Sequence, residues 1–292
     1  MTSRTTHTVL AVLAFGITPV AAQSRIPTLW ERVGTLPIDE ASGVAVSRAF
    51  PGILWVHNDS GDEPRFFAVR LDGSLVATYD VRGARAVDWE DMAIGPCPWD
   101  VTRTCLVLGD IGDNGEERTR VILYFVEEPD PTVPGDSARA VGPARAVRVR
   151  YADRPHDAEA LTVDPEGNLS IVTKGRTGPI VRYPIPRDAL LADSLVAAPR
   201  DTLALVPQRM LGRWVTAAAI RRDGLAAVIK TYTEVFIYRI ESERWIPDGP
   251  ACFLGAREPQ GEAVDYLDDT TLVLVSERSS GEPAIHRARC SL

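Results

Sequence analysis

Four glutamates recur in similar company and carry the first chemical suggestion. They are Glu40 in Glu40-Ala41-Ser42-Gly43-Val44, Glu90 in Glu90-Asp91-Met92-Ala93-Ile94, Glu159 in Glu159-Ala160-Leu161-Thr162-Val163, and Glu262 in Glu262-Ala263-Val264-Asp265-Tyr266. Carboxylates brought together cannot all ionise cheaply without a counter-charge. A hard cation supplies one, and Ca²⁺ accepts about six to eight oxygens in flexible geometry. Asp59 and Asp110 are candidate further donors. The competing reading is that the glutamates pair with arginines or bind ordered water.

Cations and polar groups lie at matching offsets. Lys174, Lys230 and Arg278 are candidates to neutralise developing negative charge, with Glu159 as a general base. His57, Asn58, Asp113, Asn114, Tyr232 and Glu277 are candidate ligand contacts. The run Asp110-Ile111-Gly112-Asp113-Asn114-Gly115 starts like an EF-hand loop. Val121 stands where that loop needs a bidentate glutamate, so a turn is expected. His156 is expected to be a hydrogen-bonded histidine. No Gly-x-Ser-x-Gly elbow, phosphate loop or dinucleotide fingerprint occurs. Two functions remain: a ligand- or partner-binding module, preferred because no catalytic motif stands out, and a calcium-dependent hydrolase of phosphoesters or related anionic esters.

The elements that must position these residues are strands. Apolar runs are short, rich in Val, Ile, Leu and aromatics, and separated by Asp-Gly, Gly-Asn and Pro. Only Arg187 to Leu195 suggests a helix. The glutamate unit, with a degenerate copy at Thr216-Ala217-Ala218-Ala219-Ile220, recurs at intervals of roughly 46 to 69 residues. Four strands follow each copy except the last, which has three. The expected fold is an all-β, five-bladed β-propeller with four-stranded blades, in which Leu29–Leu36 closes the last blade and covers its edge. A sixth blade within 128–144 is the alternative. Blade four's outer strand is expected near Ala251–Gly255. Meander topology brings the strand openings and the loops between second and third strands to one channel mouth. Trp55 and Trp89 are expected as wedges between blades.

Residues 1–22 read as an export signal: Arg4, an apolar run Val9 to Val20, then Ala21-Ala22. Residues 23–292 then form one propeller domain, secreted or periplasmic, with no membrane span. Four cysteines in an exported chain favour disulfides. Three pairings are open, with Cys97–Cys105 and Cys252–Cys290 preferred. A formal charge of −8 argues against nucleic-acid binding. A small anionic ligand or an extracellular or surface protein is the expected partner.

The strings Ala41-Ser42-Gly43, Trp55-Val56-His57-Asn58-Asp59-Ser60-Gly61, Asp88-Trp89-Glu90-Asp91, Gly109-Asp110-Ile111-Gly112-Asp113-Asn114, His156-Asp157-Ala158-Glu159 and Gln260-Gly261-Glu262 resemble signatures of secreted bacterial propellers labelled WD40-like or phytase-like. The resemblance implies the fold but no settled activity. A looser similarity, in glutamate placement, is to the five-bladed calcium-activated nucleotidases (apyrases). It implies an axial calcium, but that family's catalytic motifs are absent.

Overall fold

The computed structural model describes residues 24–133, 138–207, 210–258, 260–278 and 281–290, so the expected signal at 1–22 lies outside the described residues. Side chains on a strand alternate between two faces, and here both faces are apolar. In Ile53–Asn58, Ile53 and Trp55 join one apolar cluster while Leu54 and Val56 join another. In Val121–Glu127, Leu123 and Phe125 face one neighbour, Tyr124 and Val126 the other. A sheet buried on both faces must be sandwiched between two more. Repeated around a closed ring, that requirement makes a propeller.

Five sheets satisfy it, and the fold is a five-bladed β-propeller. Blade one holds Ala41–Val46, Ile53–Asn58, Arg65–Arg70 and Leu75–Val81 from the axis outward. Blade two holds Trp89–Cys97, Asp100–Asp110, Val121–Glu127 and Arg145–Tyr151. Blade three holds Ala158–Val163, Leu169–Thr173, Ile180–Ile185 and Asp201–Leu203. Blade four holds Val215–Ile220, Ala226–Thr231, Glu234–Glu241 and Arg244–Pro247. Blade five holds Gly261–Tyr266, Leu272–Ser276 and Ala284–Arg289, completed from the N-terminal side by Leu29–Thr35. Each of five apolar clusters fills one interface between consecutive blades, the fifth joining blade five to blade one. Trp55 and Trp89 lie buried in the same interface, between blades one and two.

Two details differ from the sequence expectation, and the alternative of a sixth blade is not met. The outer strand of blade four is Arg244–Pro247; Cys252–Phe253 instead pairs with the other end of Glu234–Glu241. The expected helix at 187–195 is a single 3₁₀ turn, Ala189–Leu191, started by the Asp188 side chain and followed by the strand Ser194–Ala197. That strand pairs in parallel with Arg145–Tyr151, covering the edge of blade two. The described residues of 128–144 form no blade, and Ala138–Val141 covers the edge of blade one in the same way. Exposed edges invite association with other chains, and a borrowed strand removes the opportunity. Both disulfides form: Cys97–Cys105 within the blade-two hairpin and Cys252–Cys290 between blades four and five.

Every innermost strand carries a bulge at the same point. The register skips one residue in each blade: Ser42, Glu90, Glu159, Thr216 and Glu262. A bulge re-aims a side chain and leaves one residue out of the ladder. The two hydroxyls turn sideways and tie blades together, Ser42 Oγ donating to Glu90 O at 2.6 Å and Thr216 Oγ1 to Gly261 O at 3.1 Å. Below this ring two buried carboxylates bridge blades. Asp91 accepts from Leu161 N at 2.8 Å, and Asp265 from Val46 N at 2.7 Å. We expect Asp91→Ala to leave buried N–H donors unmet and to cost about 3 kcal/mol, read as a lower urea midpoint with unchanged slope.

Candidate functional site at the channel mouth

The bulge register decides which residues form the mouth. Glu90, Glu159 and Glu262 occupy equivalent ring positions, as expected, whereas blade one places Ser42 there and not Glu40. Glu40 lies two residues earlier, exposed at the rim. Its equivalents in blades two and three are Asp88 and Asp157, which the search for recurring glutamates passed over. An available signal was the repeated Asp-x-Glu of Asp88-Trp89-Glu90 and Asp157-Ala158-Glu159.

Two overlapping acidic trios result. Asp59, Asp88 and Glu90 place one oxygen each within 4.8 Å of one another, as do Glu90, Asp157 and Glu159. The second trio carries its own cations. Lys174 bonds Glu159, and Arg176 Nε lies 3.0 Å from Asp157. Asp157 also accepts from Asp113 N at 3.0 Å. The first trio has no direct ion pair among the described residues, and Arg118 and Lys174 offset its charge only from farther away. Among the described residues neither the Asp88 nor the Glu90 side chain makes a hydrogen bond or ion pair, although Glu90 is only 4% exposed. The space beside them is kept by Gly112, where a Cβ would fall 2.2 Å from Glu90 Oε1 and 2.5 Å from Asp88 Oδ2.

Electrostatics follow from this geometry. Burial, reinforced by Asp59, pushes Asp88 up to about 6. Burial and the facing Glu159 hold Glu90 well above the carboxylate range. Glu159 rises to about 7 by burial, with Lys174 opposing. Glu277 reaches about 7 through burial and then Asp59. Glu262 is raised by burial and by Glu159, and accepts from Gln260 Nε2 at 2.9 Å. Tyr232, on blade four, is raised by burial and by Glu262. Blade four thus faces the mouth with Tyr232 and the neighbouring Trp214, whose ring lies under Arg176 at 5.9 Å.

Several expected residues stand elsewhere. Asp110 is buried 2.8 Å from Arg118 and accepts from Asp88 N at 3.1 Å, so it fixes the loop and is outside both trios. Lys230 is fully buried against Glu258 at 3.1 Å. Gly261 makes room for that pair, since a Cβ there would meet Lys230 Nζ at 2.3 Å. Arg278 pairs with Asp39 on the exposed surface. His57 is buried edge-on to Trp89, and burial lowers it to about 4, so it is neutral packing. Asn58 holds Asp62 at 2.7 Å, and Asn114, exposed, accepts from Arg176. His156 is bonded to Tyr183 and Asp153.

No known protein family and no curated protein matches the sequence. Among solved structures, the chain is similar to the PQQ-bound aldose sugar dehydrogenase of Streptomyces coelicolor, with TM-score 0.54 and 10% identity over 89% of this chain and 97% of that one. It is also similar to the soluble aldose sugar dehydrogenase of Escherichia coli in its apo form, with TM-score 0.52 and 12% identity over 90% and 99%. At such identities the likeness shows the propeller fold alone. The WD40-like and phytase-like resemblance finds no counterpart among these neighbours and stands only at the level of the propeller.

Two outcomes follow. Lys230→Met should cost about 3–5 kcal/mol by stranding buried Glu258, and adding Glu258→Gln should recover much of the loss; urea unfolding of both variants checks this. The raised carboxyls at the mouth bind protons in the folded state that the unfolded chain has released. Their stabilisation is complete below the ordinary carboxyl values and is lost as pH rises through about 6 to 7. The Tm of chelator-treated protein should therefore fall between about pH 5 and 8, as scanning calorimetry would show.

Proposed function

We propose that the mouth is a calcium-dependent binding site for a small anionic ligand in an exported protein. The observation that carries this is Glu90, a nearly buried carboxylate with no side-chain hydrogen bond or ion pair among the described residues, facing Asp88 and Asp59 across space that Gly112 keeps open. The donors are all carboxylate oxygens, which suits a hard cation; thiolate and imidazole ligands are missing from the cluster. Asp59, Asp88 and Glu90 would hold the ion. Glu159 and Asp157 are less suited, because Lys174 and Arg176 already balance them. Two disulfides fit an oxidising compartment, where calcium is plentiful. No helix among the described residues is long and apolar enough to cross a membrane.

The ligand would complete the ion's shell with its own oxygens and lie against the blade-four wall of Tyr232 and Trp214. Isothermal titration of chelator-treated protein should show uptake of Ca²⁺. Glu90→Gln should weaken it at least tenfold, roughly 1.4 kcal/mol. Glu262→Gln, outside both trios, should change it far less. Absence of calcium uptake by the unaltered protein would end this reading.

Glu277 favours hydrolysis as a second reading. Its carboxyl is half-buried beside Asp59, has no hydrogen bond among the described residues, and titrates at about 7. Such a group is matched to general-base work near neutral pH. Bound calcium would supply Lewis-acid polarisation of an ester oxygen. Glu277 would take the proton from the attacking water and later return it to the leaving oxygen. A panel of carboxylic and phosphoric esters assayed with calcium should then show turnover that Glu277→Gln lowers about 10²–10⁴-fold while calcium uptake persists. Calcium uptake without turnover on any ester leaves the binding reading alone.

A further inference from the structure

Blade two carries an outer arginine face on the side turned toward blade one. Along Arg145–Tyr151 the side chains alternate, so Val147, Val149 and Tyr151 face blade three while Ala146 packs in the cluster shared with blade one. Arg148 and Arg150 lie on Ala146's face by the same alternation, and both are exposed. Arg148 stands opposite Ile122 and Val149 opposite Val121, so the register continued by one residue sets exposed Arg120 beside Arg150. The link from blade one to blade two adds exposed Arg82 and Arg85, either side of Ala84, which packs on the same cluster.

None of these arginines makes an ion pair among the described residues. The side chains of Arg82 and Arg150 donate to carbonyls, of Gly142 and Tyr151. Acids nearby are held or turned away. Asp110 is buried on Arg118. Asp193 lies 3.7 Å from Arg145, which alternates onto the blade-three face. Asp80 alternates with Tyr79 and Val81, which face blade two, and so points to the other side of blade one. Glu117 lies back against Gly115, where a Cβ would meet its Cγ at 3.5 Å. Like charges directly opposite on neighbouring strands repel. This face therefore stands uncompensated on a chain whose formal charge is −8.

We propose that it is a docking surface for an extended, acidic segment of a partner protein. Guanidiniums rooted about 5 Å apart across the ladder and about 7 Å apart along it match carboxylates on alternate residues of an extended chain. Each would gain a charge-assisted hydrogen bond. Ile122, half-buried, and Val196, exposed and paired with Arg150, set apolar surface among the charges. That mixture suits a polypeptide better than a polyanionic glycan. The face looks into the cleft between two blades, where a planar lipid surface cannot follow. It does not depend on the calcium site.

Fluorescein-labelled poly-L-glutamate is the probe, followed by anisotropy on chelator-treated protein so that the mouth plays no part. It should bind at low ionic strength, and added salt should weaken it. Arg120→Gln together with Arg150→Gln should weaken binding about tenfold and leave Tm equal or higher, because a repulsion is removed. Arg70→Gln together with Arg244→Gln removes the same charge from exposed arginines elsewhere and should matter far less. No binding of polyglutamate, or an equal loss in both double variants, would overturn the proposal. Pelleting with phosphatidylglycerol vesicles that requires Arg120 and Arg150 would overturn it in favour of a lipid contact. Tighter, equally arginine-dependent binding of dextran sulfate would overturn it in favour of a glycan.

Discussion

In a closed ring of blades, the innermost strand of each sheet has one edge that no further strand can cover. Its N–H and C=O groups face a narrow axis, where water is scarce and an unmet donor costs as much as a lost hydrogen bond. The molecule answers with side chains. Ser42 and Thr216 donate to carbonyls of the next blade, while Asp91 and Asp265 accept from N–H groups of others. These contacts set the distance between blades. They also mean that the axis is filled with polar groups for structural reasons before any ligand is considered.

That origin separates two kinds of carboxylate which composition alone would merge. Asp91, Asp110, Glu258 and Asp265 are buried and raised, yet each has a hydrogen bond or ion pair that accounts for its place. Glu90 and Asp88 have none among the described residues. A buried carboxyl without a partner either takes up a proton or stays charged where something else satisfies it. The distinction rests on contacts, because burial and direction of shift are shared by both groups.

Much of the fold was legible because both faces of nearly every strand are apolar and the turns between them are marked by glycine, proline and aspartate. The five-blade count and the closing strand at Leu29–Thr35 follow from that pattern. Borrowed edge strands were not legible, since Ser194–Ala197 and Ala138–Val141 read locally as loop or helix and gain their strand character only from a partner in another blade. The mouth was half legible. Repetition revealed four of the ring positions, Thr216 among them, but misplaced blade one by two residues, because a bulge leaves no mark in the hydrophobic pattern and Ser42 shares no chemistry with glutamate. Lys230 looked like a mouth cation from its offset, and only the buried position of Glu258 shows where it turns.

The five equivalent bulges explain why the site is lopsided. A ring of five glutamates would crowd like charges beyond what one ion could balance, whereas hydroxyls at Ser42 and Thr216 leave three. The residues two positions earlier follow suit: Glu40, Asp88 and Asp157 are acidic on blades one to three, while Trp214 and Gln260 are not. Acid therefore concentrates on one arc of the mouth, and blade four answers with aromatic rings. A cation drawn to the acidic arc would sit off the axis, leaving its blade-four side free of protein carboxylates. Substituting residues at two repeating positions of one strand is enough to turn a symmetric, self-repelling ring into a site with a floor, a wall and an open face. Chemistry of this kind does not pass with the fold, because the blades keep their register whichever residue the bulge presents.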